Sequence, residues 1–446
     1  MPVEIDPENF EAVMQRLGVA LEVPGAFSIA FRELDDFHPD ALYAKLPIFE
    51  PIQKLKNELN KDGVNKIGSN KEKALAQHSG NSEPPPPPES AVRPAIASTG
   101  SLLDQIASAT APPPPRVTAP SSLTSAPPTS ARVSAGDEGA WDEAIRGIGS
   151  RHALPAEDPR QKEILATVDS TAAAQMRAIL HHPEFQALEA AWRSVFFLMQ
   201  QLETGTDLKI YLVDCSRRQF LSDPAALEKI FATPAVGDEP WSLIVGLFTF
   251  SPSGRDCAAL TRFAKIAAAA GAPFLSGIDA KLFGCEAIEA TPDPDDWKRP
   301  LLVEEAAAWR ELRQSPDAEW IGLAMPRFLL RVPYGKKTSA IDAFEFEEMT
   351  EHPAHEEYLW GNAAVACACM IAQGGEPGLV NRIGGIPVHV YAPGCATPQA
   401  EIFMTERLAA RIAEAGVMPL ATVKNSDMVQ LVRFQSITGQ PLAGPW

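Results

Sequence analysis

The chain has 446 residues and a formal net charge of −18, from 39 Lys and Arg against 57 Asp and Glu. Its length suits roughly two to three domains, and a hydrophobic fraction of 45% is enough for a sizeable core. The negative balance excludes a general nucleic-acid or anionic-membrane binder, because neutralising phosphates needs an excess of Lys and Arg.

In chain order, the first 61 residues read as a small helix–strand module. Asp6 is positioned to cap a helix with Pro7 at its first position, and Phe10, Val13, Met14 and Leu17 follow at helical spacing. Phe27, Ile29 and Phe31 alternate like a strand, and a last apolar-periodic segment runs from Pro39 to Leu59. About 60 residues form a marginal core, so this module is expected to pack on something.

Residues 62–138 differ in kind. Thirteen of the 41 prolines fall between positions 81 and 130, and no aromatic residue occurs between Phe49 and Trp141. Such a stretch buries too little apolar surface to offset its ordering entropy, so a long disordered linker is expected. One island stands out within it. Leu102, Leu103 and Ile106 share a helical face behind Ser101 as N-cap, which predicts a short helix near 101–108 of the docking-peptide kind, against the alternative of a chance apolar cluster.

Residues 139–446 alternate helical and strand patterns. A helix opens at Pro183, carrying Phe185, Leu188, Trp192, Val195, Phe196 and Met199. Strands are predicted at Leu208–Val213, Leu243–Phe250, Phe274–Ile278, near Val388 and at Leu420–Lys424. Helices are predicted at Pro224–Phe231, Asp256–Ala270, up to Arg313, Glu357–Gln373 and Gln399–Ala415. The strand–helix–strand order predicts parallel pairing and an α/β module.

The six cysteines contain no CxxC pair and read as buried free thiols in a reducing cytoplasm. The acidic N-terminus is no secretory signal, and no run of about 18 apolar residues occurs. The expectation is a cytoplasmic protein without membrane insertion. His352, His355 and Glu356 lack the HExxH spacing of a metalloprotease, and Pro353 disfavours helix at His352. The string Ser251–Asp256 fits an N-cap turn better than an anion loop. No nucleophile stands with a base, so no enzyme, metal or cofactor is expected.

The densest signal lies further on. Met325-Pro326-Arg327-Phe328-Leu329-Leu330-Arg331-Val332-Pro333-Tyr334-Gly335 is followed by Phe344-Glu345-Phe346-Glu347-Glu348 and by His355-Glu356-Glu357-Tyr358-Leu359-Trp360-Gly361-Asn362-Ala363-Ala364. With the upstream helix His182–Arg193 and the later strings Gly385–His389, Gly416–Leu420 and Lys424–Asp427, this order resembles the large subunit of the type VI secretion contractile sheath over roughly 160–436. Residues 3–60, through Ile5–Phe10 and Phe31–Asp40, resemble part of the small sheath subunit. The island at 101–106 resembles the large-subunit helix that a Clp-class AAA+ ATPase recognises.

The resemblance implies a sheath-like C-terminal module and a structural, non-enzymatic role. It also implies small and large sheath subunits as partners, self-association, and ATPase docking through Leu102, Leu103, Asp104 and Ile106. The alternative is an adaptor or assembly regulator that binds sheath subunits or recruits the ATPase. Arg327, Arg331, Glu347 and Trp360 are the candidates for subunit register or for supporting the fold, the arginines pairing with acids such as Glu345, Glu347 or Glu348. The family continues beyond the position matching Trp446, so the large-subunit-like part is expected to be C-terminally truncated, and polymerisation without that region is left open.

Overall fold

A computed structural model of the chain describes residues 1–23, 27–62, 159–222, 224–233, 239–297, 299–350, 353–392 and 394–446. The expected linker and the short helix near 101–108 lie outside these residues. In chain order the elements are β1 (Val3–Ile5), α1 (Phe10–Leu17), β2 (Ala20–Val23), β3 (Phe27–Ala30), α2 (Pro39–Lys45), α3 (Glu50–Asp62), α4 (Pro159–Leu180), α5 (Pro183–Gln201), β4 (Ile210–Leu212), α6 (Arg217–Ser222), α7 (Pro224–Ala232), β5 (Ile244–Phe250), α8 (Gly254–Ala270), β6 (Phe274–Ile278), α9 (Val303–Arg313), β7 (Ile321–Met325), β8 (Phe328–Leu329), β9 (Trp360–Gly361), α10 (Ala363–Gly374), β10 (Arg382–Ile383), β11 (Val390–Ala392), β12 (Cys395–Ala396), α11 (Glu406–Glu414), β13 (Met418–Thr422) and β14 (Val429–Leu431). Among the described residues, no helix is long and apolar enough to cross a membrane.

Two units are present. One comprises Met1–Glu22, Ser28–Leu46 and Asp169–Trp446; the other comprises Val23–Phe27 and Pro47–Val168. Within the second, Gln161 Nε2 donates to the Leu59 carbonyl at 2.7 Å.

The first unit is built on a six-stranded sheet of order β10-β14-β13-β7-β6-β5. Strands β5, β6, β7 and β13 are parallel, while β14 and β10 add antiparallel at one edge. This is the α/β architecture that the alternating pattern predicts. Every residue of β6 and β7 is buried, as central strands covered on both faces require. Side chains alternate between two cores. Phe274, Ile278, Ile321, Leu323 and Met325 join Phe250, Phe263 and Trp309 on one face. Leu275 and Ala324 join Phe328, Met418 and the apolar surface of α10 on the other.

Several boundaries move for local reasons. Helix α1 starts at Phe10, not Pro7, because the Asp6 carboxylate accepts from the Glu8 and Asn9 N–H groups and holds a turn there. The Pro39–Leu59 segment is broken at Leu46, which is extended ahead of Pro47 as a residue before proline prefers. The predicted helix over Glu357–Gln373 begins only at Ala363, where the Asn362 side chain accepts from the Ala364 N–H at 3.0 Å; Trp360 and Gly361 form β9, paired with β8. The predicted helix from Gln399 begins at Glu406, since Glu401 is left-handed with φ 54° and Thr405 caps the helix. The strand expected near Val388 is β11, two residues on. Cys257, Cys285, Cys367 and Cys369 are buried, whereas Cys395 is exposed and Cys215 half-buried.

Candidate functional site

The first 46 residues, apart from 23–27, dock on the large module within one unit. Strand β1 pairs antiparallel with β4, Val3 opposite Leu212 and Ile5 opposite Ile210. Val3 and Ile5 are buried while Glu4 faces solvent, the period of two expected of a half-buried strand. The Phe10 ring meets Trp192 and Phe196 of α5 edge-on, at 5.7 and 5.6 Å. Phe31 stacks on Phe37 at 4.1 Å, and both contact Phe185. The Asp40 carboxylate accepts from the backbone N–H groups of Asp342 and Ala343 at 2.9–3.1 Å.

This docked segment is held in shape from within. Asp36 is buried and accepts from the Arg32 N–H at 2.6 Å and from Lys45 Nζ. Burial alone would raise its carboxyl, but the hydrogen bonds from Lys45 and Arg32 carry it below the usual range.

Beneath the docked segment lies a buried ion cluster. His38 packs edge-on against Tyr334 at 4.9 Å. The Tyr334 hydroxyl accepts from Arg193 at 3.0 Å, its N–H donates to Glu348 at 2.7 Å, and the Arg331 guanidinium lies over its ring. Arg331, 9% exposed, donates to Glu189 at 2.8 Å and forks onto both oxygens of Glu348 at 2.7 and 2.9 Å. Arg193 completes the group with a 2.7 Å bond to Glu189. Two guanidinium groups thus balance two carboxylates, which is what makes such burial tolerable.

Burial raises the Glu348 carboxyl, but Arg331, His181 and the Tyr334 N–H take it down to about 2. Burial lowers Arg331, yet Glu189 and Glu348 hold it well above its ordinary value. Burial pushes the Tyr334 hydroxyl up to about 12.

A second cluster centres on Arg327. Its guanidinium donates to Glu401 at 2.9 and 2.6 Å and to Glu356 at 3.0 and 2.7 Å, and its own N–H donates to Glu401 at 2.6 Å. His355 Nε2 stands 3.0 Å from Glu401, and its ring stacks on Trp360 at 4.7 Å. Burial raises the Glu401 carboxyl, but Arg327 and His355 bring it below the ordinary range. A groove of about 320 Å³ beside Arg327 is lined by Ala187, Ala190, Leu247 and Trp360 among others.

The structure thus brings Arg331 to Glu348 but gives Arg327 other partners than the acids anticipated. Glu345 pairs with Lys336, and Glu347 accepts from the Lys336 N–H. Trp360 is buried, its indole N–H donating to the His355 carbonyl at 2.9 Å. Leu102, Leu103, Asp104 and Ile106 lie outside the described residues. Sequence reasoning missed Glu189, Arg193, Tyr334 and Glu401. Glu189 had a signal, since it lies between Phe185 and Trp192 on the apolar face of its helix, where a charge demands a partner.

Among the described residues, Glu289, His355 and Glu401 bring ligand-type atoms within 4.8 Å of one another. Glu401, however, is engaged by Arg327, so a cation there competes with a guanidinium. The anion loop considered at Ser251–Asp256 is filled by the chain's own carboxylate. Asp256 accepts from the Ser251 N–H and hydroxyl at 2.8 and 2.7 Å and pairs with Arg217.

The VipB family (EvpB/VC_A0108, tail sheath N-terminal domain) matches residues 162–438. The type VI secretion system sheath protein TssC1 of Pseudomonas aeruginosa is 32% identical over 308 residues, covering 62% of this chain and 61% of that protein. The chain therefore spans less than two thirds of that relative.

Proposed function

The chain belongs to the VipB tail sheath family, and from that premise we propose that it is a structural, non-enzymatic component of a type VI secretion contractile sheath, working in the cytoplasm. One observation carries the reading: the family match runs across the whole six-stranded sheet and both arginine clusters. In this reading the clusters fix geometry rather than perform chemistry. Their charges are engaged with one another, and buried ion pairs specify an arrangement more than they stabilise it. Sheath subunits, small and large, and further copies of the chain are its partners.

The residues 1–61 resemble part of the small sheath subunit, and their docked part supports a protomer that carries small-subunit-like contacts in the same chain. Contraction draws on rearrangement between subunits. A Clp-class AAA+ ATPase docks through Leu102, Leu103, Asp104 and Ile106, a proposal that rests on sequence resemblance.

Negative-stain microscopy of the purified chain, alone and with separate small and large sheath subunits, tests the reading. Tubes or rings containing the chain support it. Tubes of the other subunits that the chain only shortens or caps point instead to an assembly regulator. Failure to associate with sheath subunits in any mixture overturns both. Deleting residues 100–107 abolishes ATPase capture in a pull-down if the docking proposal holds; unchanged capture removes it.

A further inference from the structure

We propose that Glu289, His355 and Glu401 form a binding site for a divalent transition-metal ion of the zinc class, which ties three separate segments of the chain together.

Three observations point there. First, the donor set and its spacing suit such an ion. One imidazole and two carboxylates bring ligand-type atoms within 4.8 Å of one another, and His355 Nε2 stands 3.0 Å from the Glu401 carboxylate. Tetrahedral zinc with bonds of about 2.0–2.1 Å spaces its ligands roughly 3.3 Å apart, so closing the site asks Glu289 to move by no more than about 1.5 Å. Ring nitrogen together with carboxylate oxygen selects zinc over magnesium and calcium, which take oxygen alone, and a water fills the fourth place.

Second, the ligands are held from behind. Glu289 sits on a turn that the Thr291 N–H and hydroxyl close onto the Ala287 carbonyl, and its neighbour Ile288 is buried in the core. The His355 ring is stacked on Trp360, whose indole N–H donates to the His355 carbonyl. Glu401 stands between the buried Ala400 and Ile402. Side chains carried on such fixed points lose little freedom when an ion arrives.

Third, the charges here do not balance. In the Arg331 cluster two guanidinium groups meet two carboxylates. Around Arg327, by contrast, Glu289, Glu356 and Glu401 gather about a single guanidinium. Glu289 makes no hydrogen bond or ion pair with another described residue. A divalent cation beside a neutral His355 brings this group to zero net charge. Its competition with Arg327 for Glu401 is limited, because the guanidinium keeps both of its bonds to Glu356, at 3.0 and 2.7 Å.

The ligands come from the turn after β6, the segment leading into β9 and the segment leading into α11. The unfolded chain does not hold these side chains together, so binding stabilises the fold. This inference concerns the metal site alone and stands apart from the sheath reading.

The test uses the full chain, stripped with EDTA, and Zn²⁺ alone as the probe. Isothermal titration is expected to show one zinc per chain, and zinc is expected to raise the urea midpoint. Glu289→Gln and His355→Gln are expected to weaken binding by about tenfold or more, since even a partner behind a metal ligand is worth about 10–100-fold. Unfolding of Glu289→Gln in EDTA should match the parent, while the zinc-dependent rise is lost. X-ray absorption at one equivalent of zinc is expected to show nitrogen and oxygen neighbours at about 2.0 Å. Sulfur neighbours at about 2.3 Å place the ion on the cysteines and overturn the proposal. Zinc binding that neither substitution alters, or the absence of any zinc-dependent gain in stability, overturns it equally.

Discussion

Replacing Glu348 with Gln tests whether the Arg331 cluster is held by charge. The substitution keeps the shape but removes one of two carboxylates facing a guanidinium with 9% exposure. Glu348 titrates at about 2 in the folded protein against an ordinary 4.5. At roughly 1.4 kcal/mol per unit, that difference corresponds to about 3 kcal/mol. Because the folded value is depressed, the contribution is fully present above the unfolded value near 4.5 and is lost as pH falls towards 2. Urea unfolding of the wild type and of Glu348→Gln at pH 7, 4 and 3 gives the comparison, and the difference between the two proteins cancels the titration of shared groups that do not interact with Glu348. The gap is expected to be about 3 kcal/mol at pH 7, to narrow at pH 4 and to lose roughly half its size by pH 3. A gap that stays constant across this range would refute the charge argument and leave only a packing effect.

Arg327→Ala strands the buried Glu401 beside Glu356 and is expected to cost about 3–5 kcal/mol. Glu356→Gln, at the exposed end of the same pair, should cost less than about 1 kcal/mol in the same denaturation assay. Phe10→Ala removes a buried ring from the face of α5. About 3 kcal/mol of lost docking is expected, seen as faster hydrogen exchange across residues 1–22 with little change in β6 and β7. In native protein, Cys395 should react with a thiol reagent within minutes. Cys369, whose thiol burial pushes up to about 12, and the neighbouring buried Cys367 should react only on unfolding, as peptide mass spectrometry can follow.

The parts of the fold that are readable from sequence are those where one local signal dominates. Helix α8 and strand β6 lie where spacing puts them, because Ser253 and Gly271 mark the helix ends and an apolar run between turns has few alternatives. Strand β7 was not predicted, although Ile321–Met325 is an apolar run buried throughout like β6. Helix α10 was drawn too long because Trp360 is apolar at helical spacing, yet its ring is fixed by His355 through a contact that no local pattern records. At the candidate site, Arg331 and Glu348 were nominated together from one stretch of chain. Glu189 and Glu401 reach the arginines from 142 and 74 residues away, and single-sequence spacing says nothing about such distances. The docking of the N-terminal segment on its own large module was undetermined for the same reason: an apolar face shows that a partner exists, not which one.

The pairing of β1 with β4 also sets an order of events at birth. Glu4 and its strand partner Tyr211 are 207 residues apart, so at synthesis rates of about 5–20 residues per second the N-terminus waits roughly 10–40 s for the strand that receives it. During that time Val3, Ile5, Phe10 and Phe31 have no completed surface to cover them. Closing so distant a contact also carries the loop-entropy penalty that delays non-local pairing. The β1 segment leaves the ribosome long before its partner strand and is therefore ordered late, which gives nascent-chain chaperones a long opportunity to act on it.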